Sequence, residues 1–169
     1  MTSNSRVVVV CMLDSIHTAR WLENFKEGLA APGGKDKMLF DLTITGPGMF
    51  SIKDLFDLSL ELDVRIETKI MFAFHPDIIF SPFAWPKHIL TRKIDELLEY
   101  MEPIATHKQF TLINTLREMR NRPSFEEEYP EEFIQGKKNG KGYQDRLDSI
   151  RDEKITIADI YKADEELYE

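Results

Sequence analysis

Apolar and polar residues alternate most regularly over residues 64–74, "VRIETKIMFAF". Val64, Ile66, Thr68, Ile70, Phe72 and Phe74 fall on one face of an extended segment, and Arg65, Glu67, Lys69, Met71 and Ala73 on the other. A period of two predicts a strand whose two faces differ. Residues 7–12, "VVVVCM", are instead continuously apolar, as expected of a strand buried on both faces of a parallel sheet. A further strand is predicted over 38–45. Between the strands the period becomes helical. Trp21, Leu22, Phe25 and Leu29 recur at helical spacing behind Ser15, a residue type suited to N-capping, and Gly28 with "APGG" closes the segment. "SIKDLFDLSLEL" predicts a second helix, with Ser51 and Asp54 at capping-box spacing. Residues 6–74 therefore read βαβαβ, an order that favours right-handed crossovers and a parallel sheet. The expected fold class is α/β: a parallel-sheet unit of partial-barrel or Rossmann-like type, followed by a helical carboxyl-terminal extension.

Beyond residue 74 the pattern changes. "HPDIIFSPFAWP" holds Pro76, Pro82 and Pro86, each of which lacks a backbone donor and restricts its predecessor, so the segment predicts an ordered apolar loop. Pro86 suits the first turn of a helix in which Leu90, Ile94, Leu97, Leu98 and Met101 line one side. A further helix over 106–121 turns Ile113, Leu116 and Met119 inward, and the two helices should pack together. Ser124 and Glu127 stand at capping-box spacing and open a short helix that Pro130 limits. "GKKNGKG" reads as a linker, and the tail after it as short, charged helix anchored by Ile155, Ile157 and Ile160. The expected division is an α/β unit over 1–84 and a helical extension over 85–169 packed on it as one compact domain, with a mobile tail after about residue 136.

Composition narrows the function. A chain of 169 residues has room for one domain with a real core. Its 30 acidic residues against 22 basic ones repel phosphate backbones, so nucleic acid is not an expected partner. No apolar run approaches the roughly 20 residues that span a bilayer. "MTSNSR" lacks the basic start of a secretory signal, which makes a cytoplasmic protein without a membrane partner the expectation. Cys11 is the single cysteine, which excludes an intrachain disulfide and any cysteine-rich metal cage built by this chain alone.

Candidate chemistry gathers at the turns. Asp14, Ser15, His17 and Thr18 stand where the first strand feeds a helix, so backbone N–H groups and the positive helix end would face an anion or a sugar. Capping and a polar turn account for the same residues. In "TGPGMFS", Gly46 and Gly48 match two glycines of the G-x-G-x-x-G phosphate loop, but Ser51 holds the third place, and permissive φ angles in a turn explain both glycines equally. His75, at a strand end beside Asp77, is the best placed histidine, since sites in parallel sheets gather at the carboxyl ends of strands. A histidine capping a proline-stiffened loop is the plainer reading. No H-x-x-x-H or H-E-x-x-H pair exists, so no zinc site is expected. Trp85 with Phe80 and Phe83 forms either a ligand platform or core. The same loop, Phe80 to Trp85, would be exposed in a non-enzymatic interaction domain and meet another subunit or partner protein; an exposed sheet edge would serve the same end.

Two resemblances follow from longer stretches. "DSIHTARWLENF", within residues 7–28, is similar to the first strand-loop-helix of retaining glycosyltransferases of the GT-B architecture, which implies that Asp14, Ser15, His17 and Thr18 bind a sugar acceptor. The "GHEV"-like turn usual in that family is missing after Gly28, where the chain reads "LAAPGGKDK", and nothing matches the donor-binding domain. From about Phe50 onward the chain resembles the carboxyl-terminal part of twitch-domain radical S-adenosylmethionine proteins. The carriers are "DLFDLSLELDVRIETKIMFAFHPDIIFSPFAWPKHILTRKIDELLEYM", "ATHKQFTLINTLREMRNRPSFEEEYPEEF" and "ITIADIYKADEELYE". That resemblance implies the late part of a partial (β/α) barrel over 52–74 and a carboxyl-terminal extension after Pro86. The family's [4Fe–4S] cluster and S-adenosylmethionine chemistry rest on a C-x-x-x-C-x-x-C loop that this chain lacks, so no cofactor is expected and the chain should be catalytically incomplete alone, accessory or partner-binding. A composite or truncated chain, joined within residues 29–49, accounts for both resemblances.

Overall fold

The computed structural model describes residues 7–9, 15–72 and 80–150. Three parallel strands, β1 (Val7–Val9), β2 (Leu39–Ile44) and β3 (Arg65–Ile70), lie side by side in chain order with β2 in the centre. In register, Phe40 stands beside Ile66, Asp41 beside Glu67, Leu42 beside Thr68 and Ile44 beside Ile70. Parallel neighbours require crossovers, and α1 (Ser15–Ala30) and α3 (Ile52–Glu61) supply them. Both crossovers advance the same way across the sheet, so the right-handed rule puts α1 and α3 on one side of it. The fold is therefore α/β.

Alternate residues of β2 and β3 form the floor of the core. Phe40, Leu42, Ile44 and Ile66 are fully buried, and the Phe25 ring of α1 lies 4.9 Å from that of Phe40. Gly28 does not end α1. A Cβ there would lie 2.7 Å from Met38 Sδ, so glycine lets the returning chain press against the helix through the short α2 (Gly34–Lys37). Helix α3 buries Ile52, Leu55 and Phe56. Helix α4 (Lys87–Met101) buries the five residues its spacing assigns inward, and α5 (Phe110–Asn121) buries Ile113, Leu116 and Met119 together with Leu112. Each such side chain contributes about 1.5–3 kcal/mol on burial. The cluster runs without a break from Phe25 to Phe133, across the boundary expected near residue 84.

Polar contacts fix the helices to the sheet. Thr106 and Gln109 form a capping box ahead of α5, and the buried Gln109 amide donates to Ser59 Oγ at 3.1 Å and to the Val64 carbonyl at 3.3 Å. One side chain thus ties α5 to α3 and to the start of β3. Thr115 Oγ1 meets Thr68 Oγ1 at 2.6 Å. Lys87 donates to the carbonyls of Arg120 and Arg122, the orphan acceptors at the end of α5, and its burial lowers its pKa against the opposing charge of Glu127. Ser124 and Glu127 close the capping box that their spacing predicts, opening α6 (Phe125–Glu128), and Pro130 begins α7 (Pro130–Ser149).

Three expectations are corrected. Ser51 forms no side-chain cap with Asp54's turn, because it follows the 3-10 turn Pro47–Phe50 and already has helical φ and ψ, whereas a capping residue needs extended backbone. "GKKNGKG" is no linker but lies within α7, where Gly136 and Gly140 are buried on the same helical face as Phe133; burial outweighs the poor helix propensity of glycine. The loop over 80–85 is not an exposed apolar surface, since Ser81, Pro82, Phe83 and Trp85 are buried. Ile155, Ile157 and Ile160 lie outside the described residues.

Candidate functional site

The two faces of the sheet differ in kind. The face bearing Phe40, Leu42, Ile44, Ile66 and Thr68 takes the contacts of α1 and α5. The opposite face bears Leu39, Asp41 and Thr43 from β2 and Arg65, Glu67 and Lys69 from β3. Asp41 is the anomaly. Aspartate is disfavoured in strands, and a central parallel strand ordinarily carries no charge, yet Asp41 sits at the third position of "LFDLTI" and is only 5% exposed.

Lys69 Nζ lies 2.8 Å from Asp41 Oδ2. Asp41 Oδ1 is buried and has no hydrogen-bond partner among the described residues. Leaving such an acceptor unmet costs about 1–3 kcal/mol. Glu67, directly beside Asp41 in register, adds like charge and is held by Arg65, whose Nε and Nη2 reach Glu67 Oε1 at 2.7 and 2.6 Å. The face therefore carries two ion pairs side by side, Arg65–Glu67 and Lys69–Asp41, each made to one carboxylate oxygen, and the second has its other oxygen buried. Chains retain a local inconsistency of this type mainly where it serves a site.

A second feature lies at the carboxyl end of β2. The turn after β2 packs against residues 80–85: Gly46 N donates to the Phe80 carbonyl at 2.7 Å, and Gly48 N donates to Thr45 Oγ1 at 2.9 Å. A Cβ on Gly46 would lie 2.9 Å from Trp85 Nε1. Gly46 has φ −53, so this glycine answers close approach and not a left-handed turn. Both amides donate within the chain, to the Phe80 carbonyl and to Thr45 Oγ1, as a packed turn requires. Trp85 packs against Phe50, with ring centroids 5.3 Å apart, and belongs to the core.

Of the other candidate residues, Asp14 and His75 lie outside the described residues. Ser15, His17 and Thr18 occupy the first turn of α1. They are not brought together with Gly46 and Gly48 by any described contact. No motif marks Asp41 or Lys69. The signal was present nonetheless, as an acidic residue interrupting an apolar strand. Among the described residues no three His, Cys, Asp or Glu side chains converge to hold a metal ion, and no helix is long and apolar enough to cross a membrane. Comparison of the chain with protein-family models, with curated proteins and with solved structures finds no match.

Proposed function

We propose that the chain is the carboxyl-terminal portion of a (β/α)-barrel protein related to twitch-type radical S-adenosylmethionine proteins, acting as an accessory or partner-binding piece. One observation carries the reading: a parallel sheet in chain order, with its apolar side chains on the face that α1 and α5 contact and Asp41, Arg65, Glu67 and Lys69 on the other. A doubly wound Rossmann sheet is covered by helices on both faces and its strands read as continuously apolar. A barrel wall has one face against helices and one turned inward.

The family's cluster does not fit this chain. Three thiolates hold a [4Fe–4S] cluster, and Cys11 supplies one. Radical chemistry on this reading belongs to a cysteine-bearing partner. Anaerobic reconstitution with iron and sulfide is expected to give no stoichiometric cluster and no cleavage of S-adenosylmethionine; one cluster per chain would overturn the reading. A cysteine-rich radical domain encoded beside this chain, and forming a complex with it of equal stoichiometry, is the positive expectation.

A second reading takes the chain as a glycosyltransferase-like module. In its favour, the helix after β1 begins at Ser15, which sets Ser15, His17 and Thr18 at the positive end of a helix of 16 residues. Calorimetry with nucleotide sugars and their acceptors tests it. Saturable heat that disappears in His17→Ala favours this reading, and the barrel reading expects none. Pairing between chains along β3, which ends the sheet among the described residues, is checked by sedimentation at several concentrations.

A further inference from the structure

The Asp41 carboxylate has two oxygens and uses one. Lys69 is a point-charge donor that reaches Oδ2 alone, and its side chain is 64% exposed. An ion pair with one partner so open to water is held weakly, and long lysine stems reorient readily. A planar guanidinium would do what Lys69 does not, because its parallel N–H groups satisfy both oxygens of a carboxylate together. On the neighbouring carboxylate a guanidinium already brings two N–H groups to one acceptor, Arg65 Nε and Nη2 to Glu67 Oε1. A net charge of −8 favours the approach of cations to the chain as a whole.

We propose that Asp41 is the receptor for a guanidinium-bearing ligand, with Lys69 as its exchangeable resident. The ligand's fork takes the place of the ammonium at Oδ2 and brings its second N–H to Oδ1. A simple ammonium ligand would repeat the single contact of Lys69 and gain nothing by the exchange. The inference rests on the barrel reading in taking this face of the sheet as ligand-facing.

The test is an amide NMR titration of the full chain with methylguanidinium, N-acetylarginine amide and methylammonium chlorides at matched ionic strength. Saturable shifts around residues 41–43 and 67–69 are expected with both guanidinium probes and not with methylammonium. Removing the competitor in Lys69→Ala should tighten guanidinium binding by about tenfold, and Asp41→Asn should abolish it. Lys69→Ala leaves the buried Asp41 carboxylate without its cation, so the fold of both variants is checked by circular dichroism, and the contrast of methylguanidinium with methylammonium on the unsubstituted chain keeps the test open whether or not either variant folds. Equal affinity for the two guanidinium probes supports the site and points to a small guanidino ligand; tighter binding of the arginine amide supports it and points to an arginine of a protein partner. Methylammonium binding as well as methylguanidinium, or no gain in Lys69→Ala, would sink the proposal. A reconstituted cluster would overturn the barrel reading without touching this titration, so the two failures are distinguishable.

Discussion

Along β2, neighbouring residues serve opposite purposes. Phe40, Leu42 and Ile44 point into the core, where each is fully buried among carbon. Asp41, between two of them, is almost as deeply buried but retains an oxygen without a partner. Burial alone therefore does not measure what a residue contributes to stability. The apolar face gains free energy for every methylene removed from water, whereas the charged face must offset desolvation with a lysine that is itself mostly in water. One face holds the fold together, and the other carries a cost that the first offsets.

The largest effect should therefore come from the apolar face. Phe40→Ala leaves a cavity under Phe25 and is expected to cost about 3–5 kcal/mol, read as a fall in the urea midpoint without a change in slope. A loss below about 1 kcal/mol would mean that α1 does not rest on the sheet through this ring. Next in size is Gly46→Ala. The added methyl meets Trp85 Nε1, deep in the structure, and is expected to cost about 1–3 kcal/mol with a shift in tryptophan emission. Unchanged emission would show that the turn after β2 and the loop over 80–85 are not in register.

How far the sequence could have led to this comparison depends on which physics each residue obeys. The alternation in β3 and the inward stripes of α4 and α5 are local patterns, and the structure follows them at Ile66, Ile94, Leu116 and Met119. The Ser124–Glu127 box is likewise local and forms as its spacing predicts. Ser51 misled because its backbone is set by the preceding turn, a context that spacing does not encode. The glycines of "GKKNGKG" misled because residues 136 and 140 are buried on a helical face, which composition reads as flexibility. Gly46 could be identified as a turn residue, but its reason for being glycine is Trp85, separated from it by 39 positions, and no local rule reaches that far. Asp41 was legible as an exception; its pairing with Lys69 required the register of β2 against β3.

The charged caps should have smaller effects than either core change. Ser124→Ala removes the hydroxyl that accepts from Glu127 N and should cost about 1 kcal/mol. The pH dependence has a definite sign. The backbone N–H of Ser124, and then its hydroxyl, hold the Glu127 carboxylate below the ordinary glutamate range. Its contribution is thus fully present above the unfolded pKa of about 4.3 and is lost as pH falls through the lower folded value. Arg120 acts on Asp95 in the same direction through a 2.5 Å hydrogen bond. Glu127→Gln, neutral throughout, should flatten the acid limb of a stability–pH profile and leave the limb above pH ~6 unchanged in slope. An unaltered acid limb would separate the capping box from acid stability.

The smallest effect on stability should fall at the most deeply buried charge. Removing one partner of a buried pair is usually ruinous, because it strands the other charge in the interior. Here the stranded group would be Lys69, which is already mostly in water and needs no rescue. Asp41→Leu also fills a central strand with a residue that suits it and removes an acceptor that had no donor. The expected change in urea midpoint is therefore near zero, or stabilising by about 1–2 kcal/mol. Methylguanidinium binding should vanish in the same protein. A loss of several kcal/mol would instead make Asp41 a structural residue and erase the contrast between the faces. Stability kept while binding is lost would establish that the chain carries this carboxylate for a ligand and not for its fold.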